Sequence, residues 1–187
     1  MRVELLNVSA HAEALIEYAF RKCYRSPMSN DVDLRRKFIA RKIALGHLSP
    51  VEHAVATFDI SDISRSCSHQ IVRHRLASYS QESLRYVDMS REGVVVPESV
   101  AEKEAFYDAL TVAKDAYNKL LSLGVKKEDA RFILPIATKT SMVVTMNFRS
   151  WLHFIEMRSS KHAQWEIRAV ANEIHETLSI IAPSVFG

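Results

Sequence analysis

The sequence predicts an α+β fold: a mixed or antiparallel sheet flanked by helices, with long helices toward the C-terminus. Two observations predict it. Helical patterns outnumber strand patterns along the 187 residues. The strand patterns also do not alternate regularly with helices, as the βαβ units of a parallel sheet would. The length suits a single domain, residues 1–187, with room for a small second lobe. Apolar residues make up 48% of the chain, enough to bury a core.

Residues 2–8 are short and apolar-rich and read as a first strand. Residues 10–24 follow as a helix with Ala14, Leu15, Tyr18 and Ala19 on one face. In the next helix, 31–45, Asp31 is the cap, Leu34, Phe38 and Ile39 are apolar, and Gly46 is the stop. The loop His47-Leu48-Ser49-Pro50 leads into a strand over 53–62, carried by Val55, Thr57, Phe58 and Ile60. Helix is expected from Ile63 to about His74, then a long helix over 98–123, and after Gly124 a short helix, 126–133, ended by Pro135. Residues 140–148 are strand-like, and 161–182 form the last helix, with Ala163, Ile167, Val170, Ile174, Leu178 and Ile181 as its apolar stripe.

Composition excludes several function classes. Lys plus Arg is 25 and Asp plus Glu is 22, a formal net charge of +3, too small for nucleic-acid binding by bulk charge. Gly46, Gly93, Gly124 and Gly187 are the only glycines, so neither GxGxxG nor GxxxxGK[ST] can form. Any bound phosphate must be met by side chains or helix N-termini. Cys23 and Cys67 form no CxxC pair, which points to a reducing compartment and to buried, small apolar roles for both. The N-terminus lacks the features of a signal peptide, and no apolar run is long enough for a bilayer. A soluble cytoplasmic protein is expected.

Chemistry concentrates in residues 70–86. There Arg73, His74, Arg75 and Arg85 face one acid, Glu82, with Ser78, Ser80 and Ser83 among them. Guanidinium forks and hydroxyls suit phosphate oxygens and pyrimidine carbonyls. Composition alone favours a solvated basic helix end, since charge runs usually lie on the surface.

Arg73-His74-Arg75, followed after seven residues by Ser83 and then by Arg85-Tyr86, resembles the signature of the flavin-dependent thymidylate synthases. Four further blocks resemble that family in its order: Gly46 to His53 (GHLSPVEH), Asp129 to Pro135, Asn147-Phe148-Arg149 with Leu152-His153-Phe154, and Arg158 with His162 to Arg168. Two positions depart: Ser80 stands where the family usually has Asn, and Gln81 where an acid is common. The stretch between Tyr86 and the long helix is shorter than in many members.

The resemblance implies that Arg73, His74 and Arg75 meet FAD, with Arg73 also near the nucleotide. It places His47, Ser49 and Gln81 near the flavin from another subunit, and Asn147, Arg149 and His153 along the flavin pocket. Gln70, Ser83, Arg85 and Arg131 would hold dUMP, and Arg158 would sit beside the uracil as the catalytic group, favouring its N3-deprotonated form. Arg158 is too weak an acid to serve as a base, but a fixed cation in a dry site stabilises an anion. The implied reaction is reductive methylation of dUMP to dTMP, with methylenetetrahydrofolate as one-carbon donor and NADPH reducing the FAD. Ligands this large on a small domain call for sites shared between subunits, and the resemblance implies a homotetramer.

Blander readings accompany these. His53 and His162 are equally readable as capping or core residues, and His175 as a surface residue. Trp151 and Trp165 read as core or interface anchors. His69 and His74 are not a same-face helical pair and no HExxH occurs, so no metal is expected. Three rivals are a synthase that attacks uracil through a Cys67 thiolate, a relative acting on another pyrimidine nucleotide or leaving a hydroxymethyl group, and a single-stranded nucleic-acid binder.

Overall fold

The computed structural model describes residues 1–187, the Arg91 side chain excepted. Its centre is a four-stranded sheet among the described residues, with β1 (Arg2–Val8), β2 (Val55–Ser64), β3 (Ser78–Gln81) and β4 (Lys139–Asn147) in the order β1-β2-β4-β3. Every pairing is antiparallel, so the sheet is antiparallel rather than mixed. Around it lie α1 (Ala12–Lys22), α2 (Val32–Ala44), α3 (Arg65–Ile71), α4 (Glu104–Ser122), α5 (Lys127–Ala130), α6 (Phe148–Arg158), α7 (Trp165–Ile181) and α8 (Pro183–Phe186).

Alternation on β2 and β4 builds the core. Ala56, Phe58 and Ile60 face inward with Met142, Val144 and Met146, while Thr57, Asp59, Val143 and Thr145 between them are only half-buried. Phe58 meets Trp151 edge-to-face at 5.3 Å, and Trp151 meets Phe154 at 5.5 Å. The indole N–H of Trp151 donates to the Ala56 carbonyl at 3.1 Å, so the largest buried side chain leaves no orphan donor. Ile167, Val170, Ile174 and Leu178 of α7 complete this cluster. A smaller cluster of Leu84, Met89, Tyr117 and Ala130 packs α4 against the segment after β3.

Several boundaries differ from the sequence reading. β2 runs on to Ser64, because Ile63 still pairs with Thr140 beyond a bulge, and α3 starts only after Ser64 caps it by accepting from the Cys67 amide at 3.0 Å. β3 was not expected; its Ser-Tyr-Ser-Gln sequence has no apolar alternation, yet it pairs with β4 from Ser78↔Thr145 to Gln81↔Met142. α6 was missed as well, though Asn147 caps it by accepting from the Ser150 amide at 2.8 Å and Phe148, Trp151, Phe154 and Ile155 form its buried face. The long helix begins at Glu104, after a separate 3₁₀ turn over Glu98–Val100, and the last long helix begins at Trp165.

The predicted face of α1 is rotated. Leu15 and Tyr18 are exposed, while Ala12, Ile16, Phe20 and Glu17 face inward. An acid on the inner face misleads a hydropathy pattern. It is tolerated because Arg21 and Arg35 donate to its two carboxylate oxygens at 2.6 and 3.0 Å, and the Ser29 amide donates at 3.0 Å. Burial alone would raise the Glu17 carboxyl, but these donors outweigh it and hold its pKa below the ordinary value. On α2, Asp31 caps as expected and Gly46 takes φ 82°, but Leu34 is exposed. No helix among the described residues is long and apolar enough to cross a membrane.

Candidate active site

The chain after α3 crosses in front of α6, and a cleft of about 770 Å³ opens between them. Arg73, His74, Arg75 and Leu76 line one wall, and Asn147, Arg149, His153 and Arg158 line the other. Residues 149, 153 and 156 recur at helical spacing on the side of α6 away from Trp151 and Phe154, so one helix buries its aromatics and presents polar groups to the cleft. Glu52, from the 3₁₀ turn Ser49–His53, and Leu48 just before it also line the cleft, and there the Arg149 guanidinium pairs with the Glu52 carboxylate.

Arg158 is held at two points. Its Nε–H donates to Nε2 of His74 at 3.0 Å, and one Nη donates to the Gln70 carbonyl at the end of α3, at 3.3 Å. Nε2 of His74 is therefore an acceptor, which places the proton of the neutral ring on Nδ1. Burial pushes His74 down to about 4, aided by the Arg158 charge and then by His153, so the ring is uncharged at neutral pH. Phe154 packs against it at 4.8 Å, and the Tyr79 hydroxyl donates to the His74 carbonyl at 2.5 Å. Burial in turn pushes the Tyr79 phenol up to about 12, keeping it a donor.

A second group of charges lies outside that lining, where α3 begins and α5 ends. Arg65 donates to the Glu82 carbonyl at 2.8 Å, Arg85 Nε pairs with Glu128 at 3.1 Å, and Arg131 Nε donates to the Glu128 carbonyl at 3.0 Å. The Arg65 guanidinium is pushed below its usual pKa, by burial first and by the nearby Arg131 charge second. Its Nε is buried and has no partner. Three guanidiniums thus gather around Glu82 and Glu128, and one of them keeps a buried donor without an acceptor.

Seven of the expected residues thus converge on the cleft: Arg73, His74, Arg75, Asn147, Arg149, His153 and Arg158. Arg85 and Arg131 meet in the second group, and the Ser83 hydroxyl accepts from the Arg85 amide at 3.3 Å. Gln70 contributes its carbonyl to Arg158, while its side-chain amide turns back to the Ser66 carbonyl at 3.4 Å. Gln81 lies outside the cleft lining, its amide donating to Ser68 Oγ at 2.9 Å and Thr140 Oγ1 at 3.2 Å. His47 and Ser49 are exposed on either side of Leu48.

Sequence reasoning missed Arg65, Glu52 and Glu128. A signal for Arg65 existed: a cation in the first turn of a helix opposes the backbone dipole and needs another reason to be there. Other side-chain readings change too. His53 and His162 are exposed rather than buried, and His175 is half-buried, with Nε2 2.7 Å from the Phe186 carbonyl. Cys23 is exposed, whereas Cys67 is fully buried. Burial pushes the Cys67 thiol far above its usual range, Glu166 adds to the effect, and the Arg158 charge does not offset it. Trp151 is core, and Trp165 is exposed.

A family model described as "Thymidylate synthase complementing protein" matches residues 4–184. The chain is similar to the flavin-dependent thymidylate synthase of Geobacter sulfurreducens, 43% identical over 200 residues that cover all of this chain and 85% of that one. It is similar to the enzyme of the same name from Pyrococcus furiosus, 43% identical over 196 residues, covering 96% and 79% of the two chains. For the Mycobacterium tuberculosis enzyme the identity is 41% over 195 residues, covering 93% and 78%.

Proposed function

The chain belongs to the flavin-dependent thymidylate synthase family, and from that premise we propose how its residues carry out the methylation of dUMP to dTMP. The observation that carries the reading is Arg158, fixed by a neutral His74 and by the Gln70 carbonyl at the wall of an arginine-lined cleft.

The cleft suits FAD. Its volume lies in the range of cofactor sites. Arg73, Arg75 and Arg149 supply the charge that a pyrophosphate needs where no glycine-rich loop exists. When bound, the flavin, reduced by NADPH, would supply the hydride that converts the methylene unit donated by methylenetetrahydrofolate into the methyl group. Asn147, the cap of α6, and His153 within it would orient the ring system. Arg65, Arg85 and Arg131 take the nucleotide phosphate together with Ser83, and Arg65 Nε gains the acceptor it lacks. Arg158 reaches the uracil with a permanent charge and favours the ring deprotonated at N3. His74, being neutral, holds Arg158 without adding a competing charge. Arg149 exchanges Glu52 for ligand phosphate as the cleft fills.

We place residues 1–187 in one domain and the active form in a homotetramer. The expected flavin contacts of His47, Ser49 and Gln81 lie outside the cleft lining of their own protomer, as groups donated to a neighbour would. The purified protein should show a flavin spectrum after reconstitution with FAD and should oxidise NADPH faster when dUMP is added. A colourless protein that takes up no FAD sinks the reading. A nucleic-acid binder would instead show salt-dependent affinity for oligonucleotides and none for dUMP.

The buried, protonated Cys67 removes the thiolate route, since nucleophilic attack needs the thiolate at the surface of the site. Cys67→Ala should therefore keep kcat within about 2-fold of wild type, since a buried thiol acts as a small apolar group. A drop of several orders of magnitude in dTMP formation would restore cysteine catalysis.

A further inference from the structure

α3 has only seven residues, too few to hold its own shape in water, yet its two ends serve both halves of the proposed site. At its start, Arg65 joins the proposed anion-binding group. In its middle, the Ser68 hydroxyl accepts from Gln81. At its end, the Gln70 carbonyl accepts from Arg158 and the Ile71 carbonyl from Tyr79, at 3.0 Å. Whatever fixes this helix fixes the spacing between the nucleotide phosphate and the uracil.

One side chain outside the helix does so. Glu166, in the first turn of α7, is 3% exposed. Its Oε1 accepts from the Ser64 amide at 2.7 Å and its Oε2 from the Ser64 hydroxyl at 2.5 Å, and that same hydroxyl oxygen accepts from the Cys67 amide to cap α3. No ion pair engages Glu166 among the described residues. A carboxylate buried without a cation carries a desolvation cost, here offset by the two Ser64 donors that would otherwise be left without an acceptor. Both of its oxygens are spent on one serine, the capping residue of α3. α7 behind it is anchored by Ile167, Val170 and Ile174, all fully buried.

We propose that Glu166 is a positioning residue of the active site, acting through Ser64 to hold α3 so that Arg65 and Arg158 engage one nucleotide together. The inference rests on the functional reading above. Displacements near 1 Å at such a distance are enough to cost on the order of 100-fold in rate.

The test compares Glu166→Gln, Ser64→Ala and the double variant with wild-type holoenzyme. Glu13→Gln is the control. Glu13 is a carboxylate of similar kind, accepting from Arg36 at 2.9 Å and the Ser184 amide at 3.0 Å, far along the chain from α3. Glu166→Gln and Ser64→Ala should each lower kcat/KM for dUMP by about 10-fold or more, the size of a hydrogen bond to a charged group. The double variant should fall no further than the worse single one, because both remove the same link. Glu13→Gln should lower Tm and leave kcat/KM unchanged. In the flavin-free protein, the His74 ring, followed by NMR, should titrate above about 4 in both Glu166→Gln and Ser64→Ala as the Arg158 contact loosens. Wild-type kcat/KM with an unmoved His74 titration, or losses shared by Glu13→Gln, would overturn the proposal. A wild-type protein inactive toward dUMP would defeat the functional reading, while the His74 titration still decides the positioning role.

Discussion

Arg158→Gln is expected to lower kcat for dTMP formation by about 100- to 1,000-fold, the usual cost of removing one preorganised group that stabilises developing charge. The size follows from how Arg158 is mounted. Half-buried and held by bonds from Nε to His74 and from Nη to the Gln70 carbonyl, its charge is already in place when the nucleotide arrives. Glutamine keeps a donor but loses the charge. Arg158→Lys keeps the charge but has a single nitrogen that cannot reach both partners, so it should recover only part of the loss.

The same substitution carries a spectroscopic signature. His74 is held near 4 by burial first and by the Arg158 charge second. Removing that charge should raise the His74 pKa, yet leave it below the ordinary 6.5 because burial persists. NMR titration of the ring reads this directly. Loss of activity with an unchanged His74 titration would show that the two side chains do not meet in solution, and the assignment of Arg158 would have to be withdrawn.

Much of the site was legible in the sequence because its parts cluster locally. Arg73, His74 and Arg75 are consecutive, and Asn147 caps the helix whose first turns carry Arg149 and His153, so the cleft needs only those two stretches to meet. The fold was legible where a single force dominates. Asp31 and Gly46 mark the ends of α2 through backbone hydrogen bonding and a positive φ, and the stripe on α7 through burial. The reading failed where tertiary partners override local pattern. Two arginines stabilise the inward Glu17 and so rotate the face of α1, while β3 is polar and exists because β4 offers it a ladder. α6 lay hidden because its apolar positions interleave with functional ones. Arg65 escaped notice because its meaning lies in being next to Arg131, more than sixty residues away along the chain.

Arg131→Ala should raise KM for dUMP by about 10- to 100-fold with kcat at saturation close to wild type, the pattern for a group that binds ground state and transition state alike. Arg131 spends its Nε on the Glu128 carbonyl and keeps its terminal nitrogens for an incoming anion. Neighbouring Arg85 is held by the Glu128 carboxylate, and Arg65 carries a buried Nε with no acceptor. Arg131 and Arg65 repel each other, and burial first and the Arg131 charge second depress the Arg65 pKa. Arg131→Ala should therefore leave the ligand-free protein as stable as wild type or slightly more so, while nucleotide affinity falls. Opposite signs in stability and binding are what a site built for a missing phosphate gives, since it stores electrostatic strain that the ligand relieves. A purely structural arginine would lose both together. Thermal melts without ligand, set beside dUMP titrations at two salt concentrations, separate the cases. The affinity gap between wild type and variant should narrow as salt screens the phosphate contact. A variant that binds dUMP as tightly as wild type would remove Arg131 from the nucleotide site and leave the orphan donor of Arg65 without its proposed partner.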